Sequence, residues 1–166
     1  MLQTFTNLSP KARIWVYQSN RKITKEEQLE IKKRSELFLR SWAAHGQDLL
    51  ASAEILNDYF FIIATDESFN MASGCSIDTS FRFVQELGAE LQIDFFNRSN
   101  LAFLTDGTIS MVDMKDLKAE ITNGNITGQS EFFNNTIANK EELDSKWLVK
   151  AEESWLKRYF KAAENV

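Results

Sequence analysis

The run Tyr59-Phe60-Phe61-Ile62-Ile63-Ala64 constrains this chain more than any other segment. Aromatic and β-branched side chains suit an extended backbone, and the run has the length of an ordinary strand. Successive side chains of a strand point to opposite faces. Tyr59, Phe61 and Ile63 therefore share one face and Phe60, Ile62 and Ala64 the other, and both sets are apolar. Such a strand belongs inside a sheet with both faces covered, so the rest of the chain must build a core around it.

The segments on either side supply that core. Leu49 to Leu56 reads as a partner strand, and the intervening Asn57-Asp58 as the polar turn of an antiparallel hairpin. Arg13 to Gln18 is a third strand, ending at Ser19-Asn20. Thr24, with Glu27 three residues on, has the form of a capping box opening a long helix. Ile31, Ser35, Phe38, Trp42 and His45 make its inner stripe and Gly46 its stop. Ile77, Phe81, Val84 and Leu91 predict a second helix from near Ser76 to Gln92, slightly weakened by Gly88.

Asp106-Gly107, set between alternating runs from Leu101 to Val112, is a strong hairpin signal. Lys115 to Ile121 reads as a short helix ended by Asn123-Gly124-Asn125, and Glu131-Phe132-Phe133 as a short strand. Asn139 is placed to cap a final helix whose Leu143, Trp147, Ala151, Trp155 and Tyr159 form one face. The order strand, helix, strand, strand, helix, strand predicts an α+β fold with a ferredoxin-like split βαβ core over about residues 1–105. The second hairpin strand and a long C-terminal helix, within about 106–166, are expected to pack on it as part of a single domain. No internal repeat interrupts the pattern, and the one proline, Pro10, marks no linker.

Composition narrows the functional classes. The chain has 166 residues, 43% of them apolar, enough for one substantial core. With 24 acidic against 19 basic side chains and a net charge of −5, its field disfavours phosphate backbones and anionic membrane surfaces. Cys75 is the only cysteine and His45 the only histidine, so neither a disulfide nor a Cys/His zinc cluster can form within the chain. A lone thiol, no signal-like N-terminus and no apolar run of bilayer-spanning length predict a cytoplasmic protein without a membrane partner.

The motif search is negative for GxxxxGK[ST], GxGxxG, HExxH and GxSxG. The most suggestive stretch is Ser73-Gly74-Cys75-Ser76-Ile77-Asp78-Thr79-Ser80 at the expected start of the second helix. Free N–H groups there favour thiolates and anions, making Cys75 a candidate nucleophile, with Gly74, Ser76, Asp78 and Ser80 as candidate ligand-binding residues and His45 as candidate base. The plainer reading has Cys75 as a small buried hydrophobe, Ser76 or Asp78 as a cap, and His45 bonding carbonyls in a last helical turn. Asp66-Glu67 could form an acid pair with Asp78 or hold a cation, but solvated turn acids are the plainer explanation. Of Trp15, Trp42, Trp147 and Trp155, three fall on faces expected to pack rather than to line an aromatic pocket. No metal or cofactor is predicted.

Taken together, ARIWVYQSNR, WAAHG, SGCSIDTSFRFVQEL, FFNNTI and AEESW resemble an uncharacterised bacterial family often labelled "ABC transporter ATPase", over nearly the whole chain. That label would imply ATP hydrolysis, which needs a phosphate loop, a Walker B carboxylate and a signature motif that these residues do not supply. From Leu101 to Trp147 the chain is weakly similar to the second type of GYF-like domain, which implies peptide binding. It carries Ile109-Ser110 where that domain has Gly-Pro, and Ala102-Phe103 in place of its leading Trp-Tyr.

These observations predict a binding or interaction domain for a small molecule or another protein, without ATPase activity. A thiol-dependent enzyme using Cys75 and His45 is the alternative. A homo-oligomer joined through open sheet edges is a third possibility.

Overall fold

In the computed structural model, which describes residues 1–164, the apolar run is the middle of a sheet. The first of two compact units comprises Met1–Asn97 with Ala138–Glu141. In chain order it contains β1 (Arg13–Gln18), α1 (Lys25–Arg40), β2 (Ala43–Ala44), β3 (Gln47–Asp48), β4 (Ala51–Leu56), β5 (Phe60–Thr65) and α2 (Gly74–Leu91). Its three-stranded sheet has the order β1-β5-β4, with both pairs antiparallel. All six residues of β5 are buried, as a central strand requires. Asn57 and Asp58 turn β4 into β5 with φ of 53° and 61°, a left-handed backbone that Asn and Asp tolerate better than most residues.

Both helices share a core with the odd-numbered face of β5. Ile31 and Leu39 of α1 and Val84 and Leu87 of α2 pack in one cluster with Tyr17, Phe61 and Ile63. Phe38 stacks on Phe83 with centroids 4.4 Å apart. Along β1, Ile14 N–H donates to the Ala138 carbonyl (3.0 Å) and Lys140 N–H to the Ala12 carbonyl (2.9 Å), covering that strand's outer edge.

Helix α1 starts where the capping box predicts. Thr24 Oγ1 accepts from the Glu27 N–H (3.1 Å), and the Glu27 carboxylate accepts from the Thr24 N–H (3.0 Å). Arg21 donates to both carboxylate oxygens of Glu27 (2.8 and 2.7 Å) and to the Leu91 carbonyl (2.9 Å). One guanidinium thus joins the start of α1 to the end of α2. That hydrogen bond, aided by those from Thr24 and opposed by partial burial, holds the Glu27 pKa down from 4.5 to about 2.

The α1 stripe does not continue to Gly46: the helix ends at Arg40, with Ser41 as its C-cap. Trp42 stays in the core at 2% exposure, its ring against Phe38 and Trp15. His45 and Gly46, with φ of 53° and 76°, form the two-residue turn between β2 and β3 instead. Left-handed backbone at both turn positions matches the twist of a hairpin, so Gly46 serves a turn rather than a helix stop. At the end of α2, Gly88 is required by close approach, because a Cβ there would sit 2.5 Å from the Ile93 carbonyl oxygen.

The second unit comprises Arg98–Ile137 and the described residues from Glu142 onward. It contains β6 (Asn100–Thr105), β7 (Thr108–Asp113), α3 (Leu117–Thr122), β8 (Glu131–Phe133), β9 (Leu148–Lys150) and α4 (Lys157–Glu164). Its four-stranded sheet has the order β7-β6-β8-β9. Leu101, Phe103, Leu117, Phe132, Ala151 and Leu156 form its core. The strand expected to complete a split βαβ sheet, β6, therefore pairs in this second sheet and not with β1, β4 or β5. Asp106-Gly107 supplies β7 as its immediate neighbour, and Phe103 meets Phe132 of β8 on the other side, so both edges of β6 are taken nearby.

The long C-terminal helix is also not formed. Leu143–Trp147 makes a single π-helical turn, Leu148–Lys150 is β9, Ala151–Glu153 is a 3-10 turn, and α4 begins only at Lys157. The helical spacing of Trp147 and Ala151 is overridden by pairing of β9 with β8 and by Trp147 packing on Phe133, with centroids 5.0 Å apart.

Two stability measurements follow from this packing. Gly88→Ala should lower the unfolding free energy by about 1–3 kcal/mol in urea, the usual cost of forcing atoms into a filled site. For Glu27, whose folded pKa is depressed, the stabilisation is complete above pH 4.5 and is lost as pH falls toward about 2. Glu27→Gln should therefore flatten the fall of the urea midpoint across that window.

Candidate functional site

The start of α2 is built by its serines. Ser73, the N-cap, accepts from the Ser76 N–H (3.2 Å), and Ser76 Oγ accepts from the Ser73 N–H (2.8 Å). This reciprocal cap uses a serine where Glu or Gln is usual. Ser76 is 3% exposed, and its carbonyl accepts from the Trp42 indole N–H (2.8 Å). Ser80 is fully buried and donates to the Ile77 carbonyl (2.7 Å). Gly74, Cys75 and Asp78 are exposed on the same first turns.

The predicted ligand residues thus divide into a solvent-facing set and a buried set engaged in helix hydrogen bonds. Cys75 is an exposed free thiol, and His45 is exposed in the β2–β3 turn. The Trp42–Ser76 bond ties the chain just before that hairpin to the first turn of α2, and Asn70 Nδ2 donates to the Gln47 carbonyl (3.0 Å). No hydrogen bond joins His45 to Cys75.

Asp66 and Glu67 organise the loop after β5. Asp66 accepts from the Ser68 hydroxyl (2.6 Å) and N–H (3.0 Å), and these two bonds hold its carboxyl below its ordinary range. Glu67 accepts from the Ala72 N–H (3.0 Å) and pairs with Arg13 at 3.7 Å. Among the described residues no group of three His, Cys, Asp or Glu side chains is placed to hold a metal ion. The tryptophans pack on aromatic neighbours: Trp15 on Trp42, Trp147 on Phe133, and the half-exposed Trp155 on Phe132.

A groove of about 670 Å³ opens elsewhere in the first unit, between residues 2–6, α1 and β4. Its apolar lining comes from Ile31 and Leu39 of α1, Ile55 and Phe61 of the sheet, and Leu2 and Phe5 of the N-terminal segment. Leu29, 71% exposed, stands at its mouth. Polar side chains also enter the lining, among them Gln3, Thr4 and Thr6 of the N-terminal segment and Ser35 of α1. Ser52 of β4 is 3% exposed. Lys25 and Gln28 are both committed to Asp58, at 2.9 and 2.8 Å, while Lys32, Glu36 and Glu54 carry the remaining charges of the lining.

The floor of the groove is a sheet edge. Ala51 N–H donates to the Met1 carbonyl (3.0 Å) and its carbonyl accepts from the Gln3 N–H (2.8 Å), with Leu2 bridging parallel to it. The N-terminal segment then leaves the strand for a 3-10 turn at Phe5–Asn7. Sequence reasoning did not find this groove, because it depends on which sheet edge the N-terminal segment abandons. A legible trace is Leu29, which with Leu37 is an exposed apolar residue outside the inner stripe of α1.

Because Cys75 is exposed, iodoacetamide should alkylate it to completion in the native protein, and Cys75→Ser should change stability by no more than about 0.5 kcal/mol. With no hydrogen bond to transmit an effect, His45→Ala should leave that alkylation rate within about twofold of the parent, measured by mass spectrometry. No family model, curated protein or solved structure matches the chain.

Proposed function

We propose that this protein is a binding domain whose ligand seats in the groove between residues 2–6, α1 and β4. The observation that carries the reading is the groove itself: about 670 Å³, with Ile31, Leu39, Ile55, Phe61, Leu2 and Phe5 forming apolar walls between the N-terminal segment, α1 and the sheet. Ligand sites commonly combine such a volume with apolar walls and a small number of polar groups that fix orientation. An ordered apolar lining lowers the cost of binding, since little has to be rearranged when the ligand arrives. A lone exposed thiol is consistent with work in a reducing compartment.

The competing reading is a thiol-dependent enzyme with Cys75 as nucleophile and His45 as base. The Trp42–Ser76 bond favours it, since it ties the approach to the β2–β3 hairpin to the turn that bears Cys75. A His45→Ala variant that alkylates like the parent removes that reading and leaves the binding domain.

The binding reading is tested by a fragment screen followed through amide chemical shifts. Hits should shift amides of residues 2–6, α1 and β4 together. Leu29→Glu should weaken them about tenfold or more, the loss expected from one buried leucine contact, with the melting temperature unchanged because Leu29 is exposed in the free protein. Fragments that bind only elsewhere, or that are indifferent to Leu29→Glu, refute it.

A further inference from the structure

We infer that the occupant of this groove is an extended peptide segment of another protein, which adds to β4 as a strand and alternates apolar with basic residues. The inference rests on the binding-domain reading above and specifies its ligand.

The argument begins with hydrogen bonding. In β4, Leu50 and the even-numbered residues direct their main-chain groups toward β5, as the Asp66 N–H to Leu50 carbonyl bond shows (2.8 Å). Ala51 directs its groups outward, where Met1 and Gln3 meet them. By the two-residue period, Ala53 and Ile55 also face outward. No described residue pairs with the N–H or C=O of either, and both residues line the groove. Unpaired groups repeating every second residue along an edge match an extended backbone, and that mode of recognition takes its affinity from the main chain.

Side-chain chemistry then selects the sequence. On one face of the added strand, alternate side chains would meet Ile55 and Leu29 beside α1, which calls for apolar residues. On the opposite face they would meet Glu54, the one charged side chain of β4, which has no ion-pair partner among the described residues. Opposite charges across neighbouring strands stabilise and like charges destabilise, so a lysine or arginine fits there.

The same rule argues against a second copy of this chain. The antiparallel register that would satisfy both Ala53 and Ile55 in two copies pairs Ala53 with Ile55 and sets Glu54 against Glu54. A partner with a base at that position has no such conflict.

The test uses an acetylated and amidated Val-Lys-Val-Lys-Val peptide, its Val-Glu-Val-Glu-Val counterpart, and two N-methylated forms of the lysine peptide, one methylated at the valines and one at the lysines. The lysine peptide should bind about tenfold or more tightly than the glutamate peptide. Glu54→Lys should reverse that order, and amide exchange at Ala53 and Ile55 should slow on binding. One N-methylated form should lose binding and the other keep it: the valine-methylated form fails if the added strand is antiparallel, the lysine-methylated form if it is parallel.

Equal binding of both methylated forms, or unchanged exchange at Ala53 and Ile55, overturns the proposal. If fragments still shift the groove amides in that case, the binding-domain reading stands without it; if they do not, both fall. A concentration-dependent dimer that protects Ala53 and Ile55 without peptide also overturns it, in favour of self-pairing.

Discussion

The first unit is organised around a strand that water cannot be allowed to reach. Every residue of β5 is buried, and its side chains, other than that of Thr65, are wholly apolar. Burial at about 25 cal/mol per Å² makes exposure of either face costly, so the strand needs a neighbour on each edge and cover on each side. β1 and β4 take the edges, and α1 and α2 cover the face that carries Phe61 and Ile63. Their spacing is held by Arg21, whose guanidinium meets the Glu27 carboxylate at the start of one helix and the Leu91 carbonyl at the end of the other. A single planar fork can satisfy a helix N-terminal carboxylate and a helix C-terminal carbonyl together because guanidinium has donors on several sides.

That arrangement also produces the groove. A sheet with three strands has two edges, and this one closes them unequally. Ala138 and the residues after it run beside β1, whereas the N-terminal segment pairs with β4 only at Ala51 and then turns away. Edges left open are normally shielded by charge, bulges or a covering segment. Here Glu54 supplies a charge, and the space between the departing segment and α1 becomes a cleft with an unpaired strand at its floor. The binding proposal and its peptide ligand both grow from this asymmetry.

Signals confined to a few neighbouring residues were legible in the sequence. The Thr24–Glu27 box, the Asn57-Asp58 turn and the Asp106-Gly107 turn each encode a local geometry, and each is where it was expected. Longer periodicities misled where a sheet competed for the same residues. Leu143, Trp147 and Ala151 have helical spacing, yet Leu148–Lys150 gains hydrogen bonds by joining β8. Trp42 continues the α1 stripe and is buried as that stripe implies, but through ring contacts beyond the helix end. Of the candidate site, a serine cap at the start of α2 was legible, but the N-cap is Ser73 and Ser76 completes the box from the third helical position. The place of His45 in a hairpin turn was not, because it depends on where α1 stops, and the exposure of Cys75 was not, because it depends on which face of α2 packs.

By itself the sequence determined that β5 is central, where the hairpin turns lie and how α1 begins, since each of these follows from side-chain chemistry within a short stretch, and its single cysteine excludes a disulfide within the chain. Only the tertiary structure decided that β6 joins a second sheet, that the last third forms short elements instead of one helix, and that one edge of β4 stays open. Those outcomes turn on which distant segment wins each strand edge. Hydrogen bonds between strands are made by main-chain groups that every residue carries, so the residue types along a single strand do not name its partner.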